Sequence, residues 1–402
     1  MLELRPMLSA IWRNKISALL IVLQLALTLA IISNAAVIVG DRSDMMKRPT
    51  GMDVDNVIAV TFLAIPQDYD MAAAVTADMA MLREMPGVVD AAPSNQIPLS
   101  GSGSASGFHT KPNEEIGGEA ANYFQSDPHF INALGMKLIA GRNFTEADMD
   151  VVGPNDNYKS KVAIVTKQFA DTLFPDGNAL GKYFYGGNDS HPTEIIGIVE
   201  RNLGSWVGWS NAGNVAVFPV LVAGNFKRYL IRTEPGQRDQ VLKQVEDALA
   251  KRDPRRVIHM ETLAKDMARS YAGDNTMVKA LSSVMALLTF IVALGIVGLT
   301  FFWINQRRKQ IGVRRALGAT RTAISRYFLL ENLLIAGTGI ALGMAAAQIF
   351  NHLMVSSFKQ PALTLPVMAV CALILVSVSV VAALVPALRA ANISPATATR
   401  SV

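Results

Sequence analysis

The chain has 402 residues, 51% hydrophobic and 17% charged, where an ordinary soluble domain is about 25% charged; part of it therefore belongs in lipid, which excludes a wholly water-soluble enzyme. The formal net charge is +5, yet residues 307–321, RRKQIGVRRALGATR, carry six basic side chains and no acidic one, so the remainder sums to about −1 and offers no broad basic surface for nucleic acid. One cysteine, Cys371, excludes a disulfide-stapled fold.

In chain order, residues 1–16 are basic (Arg5, Arg13, Lys15) and read as a cytoplasmic amphipathic segment. Residues 17–40 form the first uncharged run, inside ISALLIVLQLALTLAIISNAAVIVG. It exceeds the roughly 20 residues a helix needs to cross a bilayer and reads as transmembrane helix one. Ser33-Asn34-Ala35 would suit a cleavage site. The run is nevertheless longer than the about 7–15 residues of a signal-peptide core, so a retained anchor is expected.

Residues 41–275 alternate strand and helix patterns and read as a folded α+β domain. NVIAVTFLAI (56–65) predicts a strand, YDMAAAVTADMAMLREM (69–85) a helix stopped by Pro86-Gly87, and residues 88–98 a second strand. SGSGSASG (100–107) predicts a loop, and DPHFINALG (127–135) a short helix. VAIVT, TEIIGIVE, NVAVFPVLV and YLIRT predict four more strands, and residues 235–252 a helix with Pro235 near its start. Two lobes are expected, with a boundary near residue 120 and the later strands returning to the first lobe. Without cysteines this domain must be held by its core, and about 235 residues suffice for one.

Three further uncharged runs predict spans at 280–304, 330–356 and 364–386. The intervening loop 305–327 holds Arg307, Arg308, Lys309, Arg314, Arg315, Arg321 and Arg326, and the tail 387–402 holds Arg389 and Arg400. Short basic segments stay in the cytoplasm, so both termini and this loop are expected inside and residues 41–275 outside. The fold class is then a membrane protein of four transmembrane α-helices, arranged one plus three around a large inserted extracytoplasmic domain.

No catalytic constellation emerges. The five histidines show no metal-ligand spacing, and no thiol lies near them. GNALGKYF (177–184) has three residues between its glycines where a phosphate loop has four, and Tyr183 stands where Ser or Thr would bind magnesium. It reads as a turn before a strand. The chain is thus expected to bind no cofactor or metal and not to hydrolyse ATP by itself. No span carries a formal charge at mid-depth, which disfavours ion-coupled transport and points to an external energy source.

Two smaller features carry hypotheses. Trp206 and Trp209, in NLGSWVGWSNAGN, either plug the domain core or form a loop that contacts a substrate or partner. Gly339 and Gly343 form a small-xxx-small pair for close helix packing, within one bundle or at a subunit interface. In the basic loop, Arg307, Arg308, Arg314, Arg315 and Arg321 share one broad helical face, while Val313, Ala316, Leu317 and Thr320 gather on the other. Retention of positive charge explains the arginines. An apolar stripe between Gly312 and Gly318 suggests a docking element.

RRKQIGVRRALGATR resembles the cytoplasmic signature R-x-x-E-I-G-[IV]-R-[RK]-A-x-G-A of the MacB/FtsX-like family of ABC transporter permeases. GRNFTEAD (141–148), VAIVTKQFADTLFPDGNALGKYFY (162–185), EIIGIVERN (194–202) and WRNKISALLIVLQLALTLAI resemble further family segments in the same order, and the layout of spans agrees. The resemblance covers nearly the whole chain.

That resemblance implies a transmembrane permease subunit in the bacterial inner membrane, its large domain periplasmic, coupled to a separate cytoplasmic ATPase that carries ATP and magnesium. The ATPase-coupling residues would be Gln310, Ile311, Gly312, Val313, Arg314, Arg315, Ala316, Leu317, Gly318 and Ala319. It implies mechanotransmission: ATP hydrolysis moves the loop, the spans relay the motion, and the periplasmic domain drives efflux of peptides, antibiotics or other amphiphiles. Implied partners are a second permease copy or a related permease, a periplasmic adaptor, an outer-membrane channel and membrane lipid. Lipoprotein release, and signalling to a cell-wall hydrolase or sensor kinase, share the architecture and stay open. Gln310 stands where the family has Glu, and the tail ends in ATATR where E-A-L-R is commoner, which hints at an asymmetric pair of permeases.

Overall fold

The computed structural model describes residues 12, 15–65, 69–114, 117–156, 158–186, 190–224, 226–358 and 360–393. Most of the expected N-terminal amphipathic segment and the last nine residues of the tail lie outside the described residues. The chain divides into two compact units, residues 1–47 with 274–402, and residues 48–273.

The first unit holds four helices long and apolar enough to cross a membrane: α1 (Lys15–Met46), α7 (Ala272–Gln306), α9 (Arg321–Phe358) and α10 (Leu365–Ala391). Each exceeds the roughly 20 residues of a bilayer crossing, so each continues past the hydrocarbon. Ile21, Leu25, Val292, Ile296, Ile335 and Ala383 meet in a buried core. Gly339 and Gly343 bring α9 against α1: a Cβ on Gly339 would lie 2.9 Å from Leu25 Cβ, and one on Gly343 3.0 Å from Ala26 Cα. Amides then lock the register. Asn34 Nδ2 donates to the Ala347 carbonyl at 3.2 Å, and Asn351 Nδ2 donates to Asn34 Oδ1 at 3.0 Å. Asn332 Nδ2 donates to Ser379 Oγ at 2.9 Å, joining α9 to α10. Such pairs persist in lipid because an unpaired amide there is costly. Thr364 precedes α10, whose first turn contains Pro366, a suitable place for a residue with no N–H to donate.

The second unit contains two sheets. β1 (Val57–Ala64), β2 (Val88–Ser94), β11 (Phe226–Thr233) and β12 (Arg256–Thr262) form an antiparallel sheet in the order β12-β1-β11-β2. Helices α2 (Met71–Arg83) and α5 (Arg238–Arg252) supply Val75, Met79, Leu82, Val241 and Leu249 to its core with Phe62 and Tyr229. Asp70 caps α2 by accepting from the Ala73 amide at 3.0 Å, and Gly87, at φ +87°, turns the chain into β2.

The second sheet contains β3 (Ala105–His109), β4 (Glu119–Ser126), β5 (Leu138–Gly141), β6 (Asp150–Val152), β7 (Val162–Thr166), β8 (Tyr183–Gly186), β9 (Thr193–Val199) and β10 (Val215–Val222). Its order is β4-β3-β8-β9-β7-β10-β6, with β5 on β9. β10 also pairs with β4 in parallel, so six strands close into a ring. Phe108, Phe169, Phe184 and Phe218 pack edge and tilt inside it with α4 (Lys167–Leu173).

Three expectations change. The chain leaves the first sheet after Ser94 and enters the second at Ala105, so the change of sheet falls at 95–104, not near 120; Ala105 and Ser106, read as loop, already pair with β4. The helix expected over 127–135 is one turn, α3 (Phe130–Ala133), because Asp127 takes Arg83 and the His129 amide instead of capping a longer helix. The helix expected from 235 starts at Arg238, because Gly236 at φ +81° holds a turn before it.

The GRNFTEAD segment is structural. Asp148 accepts from the Thr145 amide at 2.8 Å and from Arg142 Nη1 at 2.7 Å, and the Arg142 bond leads in holding its carboxyl well below the usual range. Gly177 and Gly181, at φ +76° and +77°, turn the chain into β8 and no helix follows them, so the segment lacks the frame of a phosphate loop. The last helices are α6 (Leu263–Ser270) and α8 (Arg308–Ala316).

Candidate functional site

The basic segment folds as α8, rooted where α7 ends. Arg307 breaks the run with φ −100° and ψ 12°, while its amide still donates to Trp303 at 3.1 Å. α8 ends in a Schellman motif: the Gly318 amide donates to Arg315 at 3.2 Å and the Ala319 amide to Arg314 at 3.0 Å, with Gly318 at φ +97°. A Cβ on Gly318 would meet nothing within 4 Å, so its requirement is conformational. Thr320 then accepts from the Ala323 amide at 3.2 Å and opens α9.

Of the ten residues expected to couple, Ile311 and Gly312 are buried. Ile311 packs with Ile304, Ile324, Phe328, Ala387 and Ala390, which seats α8 on α7, α9 and α10. Arg315 and Ala319 are half-buried, and the other six are exposed. Gln310, Val313, Arg314 and Leu317, spaced i, i+3, i+4, i+7, therefore form one outward face. The sequence reading placed the arginines on a face of their own; the structure sinks Ile311 among them. Arginine's long stem makes this affordable by carrying the guanidinium aside. Arg314 reaches across to stack 5.1 Å from the Tyr327 ring. Val313 is 49% exposed and Leu317 84%, so no described residue covers the apolar stripe.

Sequence reasoning missed the residues that hold this face in place. Glu331 on α9 is 1% exposed, and Arg307 Nη1 lies 3.0 and 2.9 Å from its two oxygens. Arg389 on α10 stacks 5.3 Å from the Phe301 ring on α7. One signal was present: Glu331 is the only acidic residue after Asp274.

Trp206 and Trp209 lie far along the chain from this surface, in the second unit. Their rings meet edge-on at 5.9 Å, both are half-buried, and neither belongs to the cores of the two sheets. With Gly101, Val207, Gly208 and Ser270 they line an open hollow of about 600 Å³. Arg48 Nη2 donates to the Val207 carbonyl at 2.5 Å and the Gly101 amide donates to Ser205 at 2.8 Å, which hold the loop.

Residues 18–248 match the MacB-like periplasmic core domain family, and residues 282–395 the FtsX-like permease C-terminal family. The macrolide export ATP-binding/permease protein MacB of Chromobacterium violaceum is 24% identical over 279 residues, 66% of this chain and 41% of that protein. YknZ of Bacillus subtilis, an uncharacterized ABC transporter permease, is 25% identical over 296 residues, 67% of this chain and 68% of that one. The chain thus spans about two fifths of the length of the MacB relatives it matches. Among solved structures, the periplasmic region of MacB from Actinobacillus actinomycetemcomitans matches at TM-score 0.33 and 14% identity, over 55% of this chain and 95% of that one. The periplasmic-core match alone covers more than half of the 402 residues, and the chain belongs to the MacB/FtsX-like family of ABC transporter permeases.

Proposed function

We propose that this chain is the permease subunit of an export complex in the bacterial inner membrane, with both termini and α8 in the cytoplasm and residues 48–273 in the periplasm. A separate ABC ATPase carries the ATP and magnesium and docks on α8. The observation that carries this reading is the outward face of α8: an apolar pair, Val313 and Leu317, flanked by Arg314 on a helix whose other side is buried. An apolar stripe that no described residue covers, on a firmly seated helix, is what a partner's cleft needs.

Hydrolysis on the ATPase displaces α8, the spans relay the motion, and the periplasmic domain drives efflux of amphiphiles. The relatives' names, which speak of macrolide export, support this substrate class. A second copy or a related permease completes the complex, with a periplasmic adaptor and an outer-membrane channel. Gln310 stands on the docking face and removes a charge that the family signature supplies there, which favours a related permease as the second half.

The test is co-purification of the ATPase with the full chain. Leu317→Glu should reduce recovery of the ATPase about tenfold or more, because it places an unpaired charge in an apolar contact. The permease itself should melt within a degree or two of wild type, since Leu317 is 84% exposed. Undiminished ATPase recovery with Leu317→Glu would sink the proposal.

A further inference from the structure

The Arg307–Glu331 pair goes beyond docking. Between Asp274 and the C-terminus the sequence has one acidic residue, and the fold buries it to 1% exposure at the point where α7 breaks into α8. A buried carboxylate near the end of a membrane helix is expensive and survives only with a partner. Its partner is the residue at the break itself, with one guanidinium nitrogen astride both oxygens at 3.0 and 2.9 Å.

Three contacts tie α8 and its leading residue to α9. The ion pair fixes Arg307, the residue before α8, to α9, Arg314 stacks on Tyr327 of α9, and Ile311 packs on Ile324 and Phe328 of α9 as well as on Ile304 of α7. Along α7, the Arg307 amide donates to the Trp303 carbonyl at 3.1 Å and to the Ile304 carbonyl at 3.2 Å, as a continuing helix would. A load on Val313 and Leu317 would by geometry bend the chain at residue 307, the one non-helical joint between α7 and α8.

We infer that the Arg307–Glu331 ion pair is a rigid joint that makes α8 and α9 move as one body, so that displacement of α8 is delivered to α9 instead of being lost as a bend at residue 307. Arg307 and Glu331 are positioning residues in this account. The inference rests on the reading of α8 as the ATPase dock, and it names the helix that receives the stroke.

The test uses the full chain in lipid nanodiscs with Cys371→Ala, and spin labels at Lys309→Cys and Ser356→Cys. Both positions are exposed, and Lys309 lies in α8 outside the residues assigned to the dock. With the native pair, the distance distribution between the labels should be narrow, and unchanged when ATPase and ATP are added. In the neutral double variant Arg307→Gln/Glu331→Gln, which leaves no lone buried charge, the distribution should roughly double in width. Arg307→Lys, which keeps the charge, should restore most of the narrowness. A double variant as narrow and as nucleotide-independent as the native pair would overturn the inference. If that variant fails to fold, Glu331→Asp asks the same question by withdrawing the carboxylate by one methylene, and a width equal to the native one overturns the inference again. The comparison of widths needs no ATPase. Failure of the ATPase to bind the native chain would therefore remove the docking reading while leaving the joint to be judged separately.

Discussion

Lys227 on β11 is 3% exposed, and its ammonium donates to the Val222 carbonyl at 3.0 Å. Burial pushes its pKa down to about 8 from the ordinary 10.5. Between these values the unfolded chain binds a proton that the folded chain does not, so stability rises from pH 8 to pH 10.5 and is lower by the full amount below pH 8. Lys227→Met should remove that rise and stabilise the protein near pH 7 by about 1–3 kcal/mol, read as melting temperature against pH. An unchanged pH profile would contradict it. Asp78 is a second buried charge, bonded to Arg256, to Arg252 at 3.2 Å and to the Tyr229 hydroxyl at 2.7 Å. Burial first, and then the Asp78 carboxylate, push the Tyr229 phenol far up, so it stays a donor at any working pH. The partners at these two sites were not legible from sequence. Asp78 sits seven residues after Met71, on the same buried face as Val75 and Leu82, so periodicity alone exposes it as an anomaly. Its partner Arg256 lies 178 residues away, and only the fold brings them together.

For the helices, uncharged runs sufficed to place all four spans, because a lipid-facing segment cannot hide a formal charge. Their packing was not so legible. Gly339 and Gly343 fit either a bundle contact or a subunit contact, and the fold puts both against α1. Gly343→Ile should therefore push α1 from α9 and cost about 1–3 kcal/mol, seen as a lower melting temperature of the full chain in detergent. A variant that melted as wild type while a permease pair dissociated would instead assign the glycine to a subunit interface. α8 shows a related limit. A helical wheel separates arginines from apolar residues, but which side is buried depends on Ile304 and Phe328 arriving from neighbouring helices. The wheel alone does not single out Ile311 as the buried residue, because basic residues surround it in projection.

Across the whole molecule, the inserted domain carries two cores of its own, one under each sheet. Residues 48–273, which form one compact unit, should fold when expressed alone and unfold cooperatively. A broad, non-cooperative melt of that fragment would count against it. The domain's existence was legible from alternating strand and helix patterns, whereas its sheet boundary was not. The Gly/Ser loop at 100–107 looked like a feature within a lobe, while the change of sheet at 95–104 overlaps it.

The first strand of the domain, β1, hydrogen-bonds along its length to its last strand, β12, from Ile58↔Thr262 to Ala64↔Arg256. Entry and exit of a 226-residue insertion are thereby zipped together. The insertion is a cassette: a domain whose own first and last strands pair begins and ends at one place, so it could be exchanged whole for another domain built the same way.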